Sequence, residues 1–384
     1  MSDDALPVRV RAVVLGAGPG GLAVAAELGR AGVETLVLDK ADRVGASWST
    51  HYDRLHLHTA RGLSHLPGQR IPARFGRWVA RDDLLAYFAD YARRHRLDVR
   101  LGVTATEVER AEDGWSVAWR RGDERGRIEA DIVVVATGYN HTPKLPAWPG
   151  LDAYRGRVVH SSAYRNPAAL GARDVLVVGP GNSGAEIAAD LAEAGVAVSL
   201  AVRTPPNIVL RSVAGIPTTG LVVAMSPLPE KAQDALARVL QRIVVGDLRR
   251  YGLPTAPRGV ISQLRRDDVT PTIDVGLLKA LRAGKVRVVA AVERFTADAV
   301  VLADGSELRP DAVVVATGFQ RGLEGLVGDL GVLARTGRPL VNGDAELAAH
   351  PGLFFLGYSN PITGNLRQLG IDARRIARKV AGRR

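Results

Sequence analysis

A chain of 384 residues, 46% hydrophobic and 24% charged, has room for two or three domains with a sizeable core. It contains no cysteine, which excludes disulfides, thiolate metal sites, iron–sulfur clusters and any redox-active dithiol. The net charge of +11 comes from basic residues scattered along the chain and dense only over 374–384, not from the basic face with interleaved aromatics of a nucleic-acid binder, so no nucleic-acid partner is expected.

The N-terminus carries Asp3 and Asp4 and no apolar signal core, so a cytoplasmic location is expected. Residues 8–15 read as a strand that runs into Gly16-Ala17-Gly18-Pro19-Gly20-Gly21. A helix over 22–31 follows, closed by Gly32, and a second strand over 35–38 ends in Asp39-Lys40. The same order recurs downstream. A strand at 174–178 meets Gly179-Pro180-Gly181-Asn182-Ser183-Gly184, then a helix at about 185–194 and a strand at 196–202 ending in Arg203-Thr204. Each copy closes alike: Asp131, an apolar run and Thr137-Gly138 in the first, Asp311, an apolar run and Thr317-Gly318 in the second. Short alternating segments before each closure, 115–119 and 299–302, predict antiparallel meanders.

The expected fold class is therefore α/β, with two dinucleotide-binding Rossmann-like domains, the second inserted in the first. The expected boundaries are 1–160 and 308–384 for one domain and 161–307 for the other. Residues 213–227 are the most apolar stretch; they are too short for an integral membrane segment and are expected to be buried or to line a pocket. Residues 230–245 place Ala232, Leu236, Leu240 and Ile243 at helical spacing, which predicts a covering helix.

The glycine spacing has a physical purpose in this context. Gly16 makes the turn, Gly18 admits a pyrophosphate, and Gly21 lets helix pack on strand. The helix N-terminus then offers partial positive charge to phosphates. Asp39 can accept hydrogen bonds from a ribose 2′-hydroxyl. In the second copy Gly179, Gly181 and Gly184 repeat the turn, but the matching acid is absent and Arg203 follows. A guanidinium suits a ribose 2′-phosphate, which points to NADPH over NADH. Asn182 and Ser183 are expected to reach phosphates or the nicotinamide. Two such sites in one chain predict FAD plus a nicotinamide cofactor. Without cysteines, the electrons must go to O2, a small-molecule substrate or another protein.

Several runs resemble the flavin-containing monooxygenases, and most closely their YUCCA-type branch acting on indole-3-pyruvate. They are the Gly16–Gly21 turn, VGASW at 44–48, YDRLHLHTARGLSHLP at 52–67, and Tyr154, Gly156, His160 and Tyr164 of the linker pattern, with tyrosine in place of its first phenylalanine. HSSAYRNP, GNSGAE, TPTIDVG, VATGY/VATGF and LGIDARRIA add to the set. The resemblance implies that NADPH reduces FAD and that the reduced flavin and O2 form a C4a-(hydro)peroxide, kept from water. It implies oxidative decarboxylation of an aryl 2-oxo acid, with N- or S-oxygenation, Baeyer–Villiger oxidation and a flavin reductase serving a protein partner as rivals. Animal-type members carry N-T-S-K where this chain has His58-Thr59-Ala60-Arg61, which favours the 2-oxo-acid branch.

On this reading His58 lines the flavin edge or is a satisfied structural histidine, Arg61 holds a substrate carboxylate or a phosphate or makes a surface salt bridge, and Asn182 completes the catalytic set. Trp48 packs at the flavin or in the core. His160 lies between the domains in a hinge or packing role. His51, His56, His58 and His65 cluster, but no metal is expected. A homodimer is left open.

Overall fold

The computed structural model describes residues 5–267, 269–361 and 363–383. The chain divides into two compact units, Met1–Thr50 with Ala60–Thr142 and Phe319–Arg384, and His51–Thr59 with Pro143–Gly318. One unit is thus inserted in the other. The insertion is wider than the expected 161–307, because strands on both sides of that range belong to the second sheet. The sequence also gave no sign that His51–Thr59 would join the second unit.

The first unit begins with β1 (Arg9–Leu15), α1 (Pro19–Arg30), β2 (Thr35–Asp39), α2 (Arg81–Arg94), β3 (Asp98–Leu101), β4 (Thr104–Ala111), β5 (Gly114–Arg121) and β6 (Glu124–Val135). Their order in the sheet is β3-β2-β1-β6-β5-β4. β1 is parallel to β2 and β6, while β4, β5 and the first half of β6 form the expected antiparallel meander. β1 is central, so Val13, Val14 and Leu15 are buried in succession without alternation. α1 opens with a proline at its first position, where no N–H partner is lost.

The second unit contributes β7 (Arg157–His160), β8 (Asp174–Val178), α3 (Asn182–Glu193), β9 (Ala197–Ala201), α4 (Thr218–Met225), α5 (Glu230–Val244), α6 (Val260–Asp267), β10 (Thr272–Asp274), α7 (Leu277–Arg282), β11 (Val286–Val289), β12 (Val292–Phe295), β13 (Val300–Leu302), β14 (Glu307–Leu308) and β15 (Ala312–Val315). Its main sheet is all parallel, in the order β11-β9-β8-β15-β7. The meander β12-β13-β14 stands as a separate sheet. Pro310, between β14 and β15, has no N–H for a ladder and ends the strand, whereas β6 runs on unbroken at the matching place. The chain then returns to the first unit with β16 (Leu353–Phe355), which pairs with β6, and α8 (Asn365–Ala381), which packs on α1.

Two expectations for the second unit are corrected. No residue of 213–227 is buried, which overturns the buried alternative for that stretch. α5 buries Gln233 and Asp234, while Leu236 and Ile243 of its apolar stripe are 41% and 73% exposed. The reason is local hydrogen bonding. Asp234 accepts from the backbone N–H groups of Ile261 (2.7 Å) and Ser262 (3.2 Å) and so caps α6, and Gln233 donates to the Leu228 carbonyl at 2.6 Å. Among the described residues no helix is long and apolar enough to cross a membrane.

Candidate functional sites: two dinucleotide cradles and a histidine on a buried glutamate

In the first unit the backbone turns at Gly16 with φ +107°, where a Cβ would stand 2.6 Å from the Ala136 carbonyl oxygen. A Cβ on Gly21 would overlap the Gly16 carbonyl oxygen. At Gly18 a Cβ would meet no atom within 4 Å, so the turn leaves open space before the N-terminus of α1. Asp39 anchors this cradle: one carboxylate oxygen accepts from the Ala17 N–H (2.6 Å), the other from the Ala41 N–H (2.8 Å). Beside it is a cavity of about 170 Å³ lined by Gly16, Asp39, Lys40, Thr104, Thr137 and His141. Among the described residues the buried Nε2 of His141 has no hydrogen-bond partner, an orphan in a cavity wall that a bound ligand would satisfy. Burial and the nearby Lys40 ammonium lower its pKa, so the ring is held neutral. Thr137 hydrogen-bonds the Tyr358 hydroxyl at 2.7 Å, and Gly138 follows at φ +73°. Trp48 stacks edge-on against Phe88, with ring centres 6.2 Å apart.

The second cradle repeats the geometry. Gly179 has φ +106° and a Cβ there would stand 2.6 Å from the Ala316 carbonyl oxygen; Gly184 would overlap Gly179; Gly181 faces open space. Ser183 is half-buried in the first turn of α3. Beyond β9, Arg203 and Thr204 are exposed, and Arg203 has no protein partner among the described residues.

Other expected residues have different work. Asn182 is occupied: its amide donates to the Pro271 carbonyl (3.2 Å) and accepts from the Ile273 N–H (2.7 Å), fastening β10 to the glycine turn. The Thr272 hydroxyl donates to the Pro180 carbonyl at 2.8 Å and completes that clasp. Thr317 and Gly318 hold Lys144: the Thr317 hydroxyl donates to its carbonyl (2.5 Å) and its N–H donates to the Gly318 carbonyl (3.0 Å). His160 is not in a linker but ends β7, a strand of the second unit's own sheet. Its Nδ1 accepts from the Ser162 N–H (3.2 Å), so its Nε2 donates to the Gly318 carbonyl (3.0 Å). Arg61 spends Nε on the Gly76 carbonyl (2.9 Å) and Nη1 on the Ile71 carbonyl (3.2 Å), which makes it a loop clamp of the first unit.

His58 belongs to the second unit. Its Nε2 is hydrogen-bonded to Glu186 of α3, a carboxylate only 3% exposed. The Tyr52 phenol is buried near the same carboxylate, and burial and that negative charge push its pKa well up. One helical turn on, Asp190 accepts from the Tyr164 hydroxyl (2.7 Å) and from Arg54 (3.2 Å), and Glu193 takes Arg54 at 3.0 Å. Positions 186, 190 and 193 share one face of α3. Arg211 is half-buried; desolvation lowers its pKa although Glu186 and Asp274 act the other way. Sequence reasoning missed Glu186, Arg211 and His141. The spacing of the three acids on one predicted helix was the only available signal.

A sequence profile for pyridine nucleotide-disulphide oxidoreductases matches residues 13–211. The indole-3-pyruvate monooxygenase YUCCA1 of Oryza sativa subsp. japonica is 33% identical over 352 residues, 91% of this chain and 86% of that protein. The probable indole-3-pyruvate monooxygenase YUCCA4 of Arabidopsis thaliana is 30% identical over 371 residues, 96% and 89% of the two chains. Among solved structures, a flavin-containing monooxygenase from Stenotrophomonas maltophilia is 27% identical with a TM-score of 0.74, over 98% of this chain and 99% of that one. A cyclohexanone monooxygenase shares the fold at 21% identity, with a TM-score of 0.74 over 97% and 88%.

Proposed function

The chain belongs to the flavin monooxygenase family that includes the indole-3-pyruvate monooxygenases and works with FAD, NADPH and O2, and from this premise we propose that its substrate is an aryl 2-oxo acid. The balanced reaction consumes the 2-oxo acid, NADPH, O2 and a proton. It yields the acid one carbon shorter, carbon dioxide, NADP⁺ and water. Bound FAD supplies the electron relay from NADPH to O2.

The residues present fit the two cofactors. The open space at Gly18 and the N-terminus of α1 suit a pyrophosphate, with Asp39, Lys40, Thr137 and His141 around the adjoining cavity. We assign FAD to this cradle. Gly181, Ser183, Arg203 and Thr204 would hold NADPH, since the exposed Arg203 guanidinium suits a ribose 2′-phosphate. Asn182 keeps the shape of that turn and needs no catalytic role.

The near full-length likeness to two indole-3-pyruvate monooxygenases is the observation that carries the substrate reading. A 2-oxo acid brings a carboxylate that must be paired once it leaves water. Arg211 is better suited to this than Arg61. It is half-buried, partly desolvated and close enough to feel Glu186, the partner of His58. His58 is the titratable ring we place in the substrate region.

The test measures NADPH and O2 consumption with indole-3-pyruvate and phenylpyruvate, and identifies products by mass spectrometry. The reading requires the corresponding arylacetic acids. Arg211→Ala is expected to raise KM roughly ten- to hundredfold, the equivalent of a lost charged hydrogen bond. Aryl pyruvates that yield only hydrogen peroxide, while a thioether or tertiary amine gains one oxygen, would establish heteroatom oxygenation instead.

A further inference from the structure

We propose that Glu186 is a positioning residue that locks His58 in its Nε2–H form and presents Nδ1 as the ring's accepting atom. The argument is one of donors and acceptors. Glu186 lies 3% exposed on α3, one turn past Asn182, and its carboxylate is hydrogen-bonded to His58 Nε2, with the buried Tyr52 phenol near enough to feel its negative charge. The Tyr52 pKa is pushed well up by burial and by the Glu186 charge, so the phenol stays neutral beside that carboxylate. An ionised carboxylate only accepts, so His58 Nε2 must carry a proton towards it. The other neutral form would set a ring lone pair against a buried anion. Among the described residues Nδ1 has no partner, and the side chain keeps 22% exposure.

The neighbouring acids show that Glu186 does something different. Asp190 and Glu193 take the permanently charged Arg54, a bond that only fastens the 51–59 segment to α3. Glu186 instead takes a ring with two protonation sites, and it is the most buried of the three acids on this face. The inference rests on the reading above only in giving His58 a place near substrate; the ring's form is a property of the second unit itself.

The experiment uses FAD-loaded protein labelled with ¹⁵N-histidine. Two-bond proton–nitrogen correlations report which ring nitrogen is protonated, and His58→Asn assigns the signals by their loss. Wild type should show one fixed form above neutral pH, protonated at Nε2. Glu186→Ala should release the ring into averaging between both forms. Glu186→Gln, whose amide oxygen still accepts, should restore most of the fixed form and covers the case in which the alanine variant does not fold. Arg54→Ala loosens the same segment but should leave the ring fixed. Unchanged ring signals in both Glu186 variants, or equal averaging in Arg54→Ala, would overturn the proposal. The yield of hydrogen peroxide per NADPH should rise severalfold in Glu186→Ala. If His58→Asn couples NADPH to product as well as wild type, the substrate-region role of His58 fails while the tautomer result stands.

Discussion

Gly16 and Gly179 turn the chain at φ +107° and +106°, and a Cβ on either would stand 2.6 Å from an alanine carbonyl oxygen. The units diverge one strand later. The first ends β2 in Asp39, whose carboxylate returns to the turn and receives the Ala17 N–H. The second ends β9 without an acid, leaves Arg203 exposed, and steadies its turn from the side through Asn182, Thr272 and Pro271. Strand, turn and helix packing leaves little freedom in how a pyrophosphate is met, so that geometry repeats. On the proposed assignment the adenosine end would be met by side chains, Asp39 in the first unit and Arg203 in the second, which carry opposite charge.

If this comparison is right, the third glycines are the least tolerant positions in both units. Gly21→Val and Gly184→Val must each push a side chain into a backbone carbonyl, at a cost of at least about 4 kcal/mol. Thermal denaturation and soluble yield should show loss of the native fold; a native melting profile in either variant would show that the turn can relax. Arg203→Ala is expected to weaken NADPH use roughly ten- to hundredfold and to leave NADH use nearly unchanged. Steady-state kinetics with both nucleotides decides this, and equal losses would remove the 2′-phosphate role.

The two anchors should differ in strength. Asp39→Ala removes two hydrogen bonds to an ionised carboxylate, worth about 2 kcal/mol or more, and should lower flavin retention. Asn182→Ala removes two neutral bonds and should cost about 1 kcal/mol, read as weaker NADP⁺ binding with flavin content unaltered. The reverse order would mean the lateral clasp is the stronger anchor. The smallest effect is expected at Pro310. Pro310→Ala restores the missing N–H but should change stability by no more than about 0.5 kcal/mol, because the β12-β13-β14 sheet is already complete. A large gain in the thermal midpoint would show that the meander and the main sheet are poised to merge.

The cradles were legible because their information is local. A few glycines, an apolar strand before them and the residue ending the next strand state the geometry within about 25 residues. The order of the units was legible too, since the closing Thr137-Gly138 and Thr317-Gly318 runs repeat. What could not be read depends on distant partners. His58 and Glu186 are 128 positions apart, and nothing in the 51–59 segment says that α3 will claim it. The apolar stripe of α5 suggested which face would turn inward, but Asp234 was needed as a cap for α6, and that demand reversed the helix. Arg61 and Asn182 carry the right chemistry for a site, yet each spends part of its hydrogen-bonding capacity on backbone groups of the protein itself. A boundary set at His160 missed that β7 and β15 complete the second sheet.

The central claim is that each cradle holds its own cofactor, FAD in the first and NADPH in the second. Gly18 and Gly181 are the positions to test, because a Cβ at either meets none of the described non-neighbouring atoms within 4 Å and projects into open space at the turn, where the account places a pyrophosphate. Bound flavin by absorbance and NADP⁺ affinity by calorimetry should be measured on Gly18→Val and Gly181→Val, both folded as wild type by circular dichroism. The account predicts that Gly18→Val loses FAD, and that Gly181→Val keeps a full complement of FAD while its NADP⁺ binding collapses. Stoichiometric FAD in Gly18→Val, or flavin loss in Gly181→Val with NADP⁺ binding intact, would contradict it.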